Sequence, residues 1–147
     1  MIILTGASGG IGRTILPELA MMDNVIAIYH SNQPNLTDLK NVTAQQLDLT
    51  SENAINNFVK SINDKRIIIM HAAALSKDGL VAQYNLDDWE RIINVNLRGN
   101  FLLTRALLSI MINNKWGRVI HFSSIAGFGV GLSWGACLLE WGETRCM

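Results

Sequence analysis

The chain has 147 residues, a length that suits a single domain. Hydrophobic residues make up 49% and charged residues 16%, which excludes a disordered chain and supplies apolar material for a core. Twelve Lys and Arg balance twelve Asp and Glu, so the basic surplus that a general nucleic-acid binder or an anionic-membrane binder needs is absent.

Apolar runs alternate with helix-period segments, the pattern of βαβ units and a parallel sheet. Residues 1–5 predict a short buried strand that runs into glycines. Residues 10–22 carry Ile11, Ile15, Leu16 and Leu19 on one helical stripe, with Pro17 inside it as a source of a kink or a late start. Residues 24–29 predict the second strand, 30–36 a polar loop and 35–40 a short helix. A third strand is expected over 42–47, ending at Asp48. Thr50 or Ser51 caps a helix over 52–62, where Ile55, Phe58, Val59 and Ile62 share a face. Residues 66–70 form an intensely apolar fourth strand. One long helix is expected over 87–113, with Gly99 tolerated inside it at about 1 kcal/mol. A turn at Lys115-Trp116-Gly117 then leads to a fifth strand over 118–122.

Domain organisation follows from this pattern. Residues 1–131 are expected to form the N-terminal part of a dinucleotide-binding domain, and 132–147 an atypical tail without a clear period. The stretch 119–139 lacks acids and bases, yet it carries His121, Ser123, Ser124, Ser133 and several glycines, and reads as a strand and loop rather than a membrane span. Cys137 and Cys146 make neither a disulfide framework nor a metal-ligand spacing, so no metal is expected. With no cationic, apolar leader in the opening MIILTGASGG, a cytoplasmic setting is the expectation.

The strongest local signal is Thr5-Gly6-Ala7-Ser8-Gly9-Gly10-Ile11-Gly12, between a strand and a helix. Glycines there permit a strained turn and a close approach of backbone N–H groups to a pyrophosphate, and the helix N-terminus adds its dipole. A side chain at Gly12 is expected to block that approach. About 20 residues further on, a dinucleotide site reads the ribose 2′ position. Tyr29-His30-Ser31-Asn32 stand there without an acid to repel a 2′-phosphate, which points to NADP(H) over NAD(H).

Further motifs fall in order along the chain. They are Asp48-Leu49, His71-Ala72-Ala73-Ala74, Asn94-Val95-Asn96-Leu97, and the run from Trp116 to Ser124. Together with the glycine loop they resemble the short-chain dehydrogenase/reductase family, most closely members such as 3-oxoacyl-carrier-protein reductases. The resemblance implies an α/β, doubly wound, Rossmann-like parallel sheet of strand order 3-2-1-4-5, cut off before further strands. It implies cofactor contacts at Gly6, Ser8, Gly9, Gly10, Ile11, Gly12, His30, Ser31, Asn32, Asp48, Leu49, Ala72, Ala73 and Ala74. Asn96 and Ser124 would be catalytic, Ser124 polarising a carbonyl oxygen and Asn96 holding a relay water through the helix it bends. The substrate would be a small carbonyl or alcohol or an acyl thioester. Family members are homo-oligomers that pair partly through the long helix, and the state of this chain is left open.

Two departures set alternatives. Gly6, Gly9 and Gly12, with His71-Ala72-Ala73-Ala74, also fit the extended branch of sugar-nucleotide epimerases and dehydratases. His71 is read as a strand-end residue that replaces one asparagine hydrogen bond, not as a catalyst. The family's proton-donating Tyr, with a Lys one turn later, is missing: the tyrosines are Tyr29 and Tyr84, no lysine follows Lys115, and Cys137 with Trp141 stand in that place. A truncated or frame-shifted chain that binds dinucleotide without turnover is therefore the second expectation.

Overall fold

The computed structural model describes residues 1–124. The expectations for the tail, Cys137 and Trp141 lie outside those residues. Five parallel strands, β1 (Ile2–Thr5), β2 (Val25–Tyr29), β3 (Val42–Gln46), β4 (Ile67–His71) and β5 (Gly117–His121), form one sheet of order β3-β2-β1-β4-β5. Register runs Ile3 to Ile26 on one side of β1 and Ile3 to Ile69 on the other, and Ile69 pairs with Val119. The expected strand order is the one observed.

Alternation along the strands divides the core between the two sheet faces. Ile3, Ile28, Ile67 and Ile69 pack with Ile55 and Phe58 of α2 (Glu52–Lys60) and with Leu103, Leu107 and Met111 of α4 (Asn100–Asn113). Ile2, Leu4, Val25 and Ala27 pack with Leu16 and Leu19 of α1 (Gly10–Met22). β1 is buried on both faces, which is why it reads as an unbroken apolar run. Each of these side chains larger than alanine contributes about 1.5–3 kcal/mol through burial.

Local chemistry sets the helix ends. Ser51 Oγ accepts from the Ala54 N–H at 3.3 Å, with Glu52 in the first turn of α2 and Lys60 in the last. Asn85 caps α3 (Leu86–Ile93) by accepting from the Asp87 N–H at 2.8 Å, and Asp87 and Asp88 occupy its first turn. α1 continues through Pro17 without a late start; Pro17 and Arg13 are exposed, so water can satisfy the carbonyl that the proline leaves unbonded.

Two expected elements are corrected. No helix forms over 35–40. The Asn35 carboxamide accepts from the Thr37 N–H at 3.0 Å and from its hydroxyl at 2.6 Å, and Asp38 takes a positive φ of 67°, so side-chain bonding and turn geometry win over the helix. The single long helix is instead α3, a π-helical turn at Asn94–Gly99, and α4. A Cβ on Gly99 would stand 3.0 Å from the Leu49 Cβ and 3.1 Å from its carbonyl oxygen. The glycine thus brings the turn close to the loop after β3. Arg98 Nη1 donates to the Thr50 carbonyl at 2.9 Å across the same junction.

Candidate functional site

At the end of β1 the chain turns sharply at Gly6, with φ of +66°. A Cβ there would stand 2.7 Å from the Ala72 carbonyl oxygen and from Ala73 backbone atoms, so only glycine lets the loop lie against the segment after β4. The Gly9 N–H donates to the Gly6 carbonyl at 2.9 Å, and the Ala7 N–H donates to the Ile28 carbonyl at 3.0 Å. Gly12 closes the loop from the helix side. Its Cβ would fall 2.2 Å from the Gly6 oxygen and 2.8 Å from the Ala7 Cα. A side chain at Gly12 would thus collide with the backbone of the loop itself. Gly10 has nothing within 4 Å of a built Cβ.

Thr5 ties the two halves of the site together. It is fully buried, and its Oγ1 accepts from the N–H groups of Ala72 and Ala73, each at 3.1 Å. The sequence names Thr5 as the first residue of the glycine motif but assigns it no role, although a hydroxyl in an otherwise apolar strand is a visible signal.

The C-terminal ends of four strands then enclose a cleft of about 450 Å³. Its walls are Gly6, Ser8 and Gly9 after β1, residues 28–32 at the end of β2, Leu47, Asp48, Leu49 and Thr50 after β3, and Ala72, Ala73, Ala74 and Leu75 after β4. Arg91 and Val95 complete it. Their i, i+4 spacing places both on one helix face, a clue that the sequence reading did not use. A crevice at the carboxyl edge, where the strand order reverses about β1, is where open α/β sheets hold ligands.

Hydrogen bonds fix the walls. Asp48 Oδ1 accepts from the Thr50 N–H at 2.8 Å and from its hydroxyl at 2.7 Å, and the two bonds lower the carboxyl pKa. His30 Nδ1 lies 2.8 Å from Ser31 Oγ, and the His30 carbonyl accepts from Gln46 Nε2 at 2.8 Å. Asn96 holds the fourth wall: its Oδ1 accepts from the Leu75 N–H at 2.8 Å, and its Nδ2 donates to the Leu75 carbonyl at 2.9 Å. The Asn96 carbonyl accepts from Asn100 Nδ2 at 2.6 Å, one residue past the π turn.

Eleven of the expected contact residues therefore share one cleft: Gly6, Ser8, Gly9, His30, Ser31, Asn32, Asp48, Leu49, Ala72, Ala73 and Ala74. Gly10, Ile11, Gly12, Asn96 and Ser124 do not line it. Ser124 is the last described residue, just beyond β5. His71 is also off the cleft. Its Nε2 meets Thr104 Oγ1 at 2.8 Å, and its ring stacks on His121 with centroids 4.6 Å apart. Burial, then the neighbouring His121, push the His71 pKa down to about 3, so the ring is neutral at pH 7. Among the described residues no helix is long and apolar enough to cross a membrane.

Comparison with known proteins agrees with this geometry. A family model described as short chain dehydrogenase matches residues 1–136. A 3-oxoacyl-[acyl-carrier-protein] reductase of Rickettsia bellii is 35% identical over 130 residues, covering 85% of this chain and 54% of that protein. The enzyme of the same name from Aquifex aeolicus is 31% identical over 138 residues, covering 86% and 56%. The chain thus spans about half the length of the curated relatives it matches. Among solved structures, serine dehydrogenase from Escherichia coli superposes with a TM-score of 0.86 at 27% identity, over 97% of this chain and 71% of that one. A closed form of serine dehydrogenase complexed with NADP+ gives the same score and identity, over 97% and 62%.

Proposed function

This chain belongs to the short-chain dehydrogenase family, and we propose that its cleft binds NADP(H) for an oxidoreductase acting on a carbonyl or alcohol. The observation that carries the reading is the gathering of eleven dinucleotide-motif residues onto one crevice at the reversal of strand order. The residues present fit such a ligand. The turn at Gly6 and the N-terminus of α1 present backbone donors to a pyrophosphate. Leu47 and Leu49 give an apolar wall beside Asp48 for the adenine, and His30, Ser31 and Asn32 offer imidazole, hydroxyl and amide donors at the ribose. Ala72, Ala73 and Ala74 are small and leave room at the other end.

When bound, the nicotinamide supplies or accepts a hydride at the substrate carbon. Ser124 donates a hydrogen bond to the substrate oxygen. Asn96 is a positioning residue here, since both ends of its carboxamide clamp Leu75 beside the cleft. The substrate class is a small carbonyl compound, alcohol or acyl thioester, in a cytoplasmic setting. Nicotinamide-fluorescence titration with NADPH and NADH tests the binding, and NADPH oxidation with ketones and β-ketoacyl thioesters tests the turnover. Tighter binding of NADH overturns the NADP(H) assignment.

One observation favours a second reading, a dinucleotide binder without turnover. The sequence has two tyrosines. Tyr29 lines the cleft beside His30, and the Tyr84 hydroxyl donates to the Lys77 carbonyl at 2.7 Å. Both precede Ser124 in the sequence, whereas the family's proton-donating tyrosine follows the serine. A positioned general acid contributes about 10²–10⁴-fold. In this reading NADPH binds and no substrate in the panel is reduced.

A further inference from the structure

Thr5, His71 and Asn100 are the buried polar side chains among the described residues. Thr5 is satisfied by the Ala72 and Ala73 N–H groups. The other two are not: neither His71 Nδ1 nor Asn100 Oδ1 makes a hydrogen bond of ordinary geometry among the described residues, yet the two side chains face each other. Buried polar atoms are costly to leave alone, and these two are complementary. A carboxamide oxygen accepts, and Nδ1 carries a proton in one of the two neutral tautomers of histidine. In that tautomer Nε2 is an acceptor, and it lies 2.8 Å from Thr104 Oγ1, whose hydroxyl can donate to it. His121, in register with His71 across β4 and β5, stacks on the ring with 13° between the planes and fixes its orientation. From Asn100 the connection runs on to the cleft. Its Nδ2 donates to the Asn96 carbonyl at 2.6 Å, and the Asn96 carboxamide grips both backbone groups of Leu75, which lines the cleft.

We infer that His71 is a positioning residue: its Nδ1–H donates to Asn100 Oδ1, which aims the Asn100 carboxamide at the Asn96 carbonyl and so sets the Leu75 wall against which the dinucleotide binds. The assignment rests on the dinucleotide reading of the main cleft. His71 touches neither cofactor nor substrate in it. It acts through a chain of side-chain hydrogen bonds that begins at Thr104 on α4, crosses the end of β4 and returns through the π turn to the cleft.

The test compares His71→Phe, which keeps a ring and removes both nitrogens, with His71→Asn. The asparagine Nδ2 is bonded to Cγ, as Nδ1 is in histidine, so that variant keeps a donor in the same place. NADPH affinity is expected to fall about fivefold to fiftyfold in His71→Phe and to stay within about threefold of the parent in His71→Asn. Adding His71→Phe to Asn100→Leu is expected to change the affinity by less than about twofold, because the ring acts through that carboxamide. Amide exchange followed by NMR should show the Leu75 N–H opening faster in His71→Phe relative to the β1 amides, whereas a ring that only fills space would move the β1 amides as much. In the unmodified chain, NMR of the ring nitrogens should show Nδ1 protonated and Nε2 bare. The Nε2–H tautomer, additive losses in the double variant, or parental NADPH affinity in His71→Phe overturns the assignment. If the unmodified chain does not bind NADPH, the reading of the main cleft fails, while the tautomer and the Leu75 exchange still decide the link from His71 to Asn100. If His71→Phe does not fold, the tautomer of the unmodified chain decides it.

Discussion

Replacing Gly12 by alanine is expected to damage the loop on which the cleft is built, whereas the same change at Gly10 is expected to strengthen α1. The Cβ added at Gly12 would sit 2.2 Å from the Gly6 oxygen and 2.8 Å from the Ala7 Cα, and both are backbone atoms. Contact between such atoms is comfortable at about 3.5–4.0 Å, so the backbone has to yield by more than about 1 Å. Forced shifts of this kind cost about 1–3 kcal/mol, or more where nothing can give. For a chain of this size that lowers the melting temperature by roughly 2–12 °C. At Gly10 the added methyl meets nothing within 4 Å. There the gain in helix propensity and the smaller unfolded-state entropy contribute about 0.5–1 kcal/mol in the opposite direction. Thermal melts by circular dichroism compare the two, and NADPH titration of Gly12→Ala should show a loss of at least about tenfold as the loop donors move off their target. A Gly12→Ala chain that melts with the parent and binds NADPH equally well would refute the close packing on which the argument depends.

Three further outcomes are expected. His71 resists protonation until about pH 3, whereas an unfolded histidine charges near its usual 6.5. Its contribution is therefore fully present above pH 6.5 and is lost as pH falls, by roughly 3 kcal/mol at pH 4; urea melts should show a shallower pH dependence in His71→Asn, and an unchanged slope would count against the buried neutral ring. Thr5→Val strands two N–H groups that Thr5 Oγ1 now accepts from, which should cost about 1–3 kcal/mol for each one left without a partner, while Thr5→Ser should stay close to the parent in the same melts. Ser31→Asp places a carboxylate at the ribose end of the cleft and should turn an NADPH preference of about tenfold into one for NADH; fluorescence titrations that keep NADPH ahead would show that Ser31 is not at the 2′ position.

Features encoded by local pattern were legible in the sequence. The apolar run of β1 announces a strand buried on both faces, and the glycines after β1 announce a phosphate loop because they fall between a strand and a helix. Ser51 marks the start of α2 as a capping residue. The π turn carries no such mark. Gly99 pressed against Leu49, and the Asn96 clamp on Leu75, are tertiary contacts, and periodicity is blind to them. The absent helix over 35–40 was lost to Asn35, whose side chain bonds the backbone that a helix would have used. The atoms behind the Gly12 requirement were out of reach for a related cause: the collision lies within the loop, and a linear motif does not say which atoms approach. Arg91 reaches the cleft from a helix whose docking the sequence does not state.

The most direct measurement of the central claim is hydrogen–deuterium exchange of the chain with and without NADP+. The account predicts slower exchange in four separated segments, 6–9, 28–32, 47–50 and 72–75, because the cleft joins them around one ligand. No change in those segments at saturating NADP+, or protection confined to another surface, would contradict it.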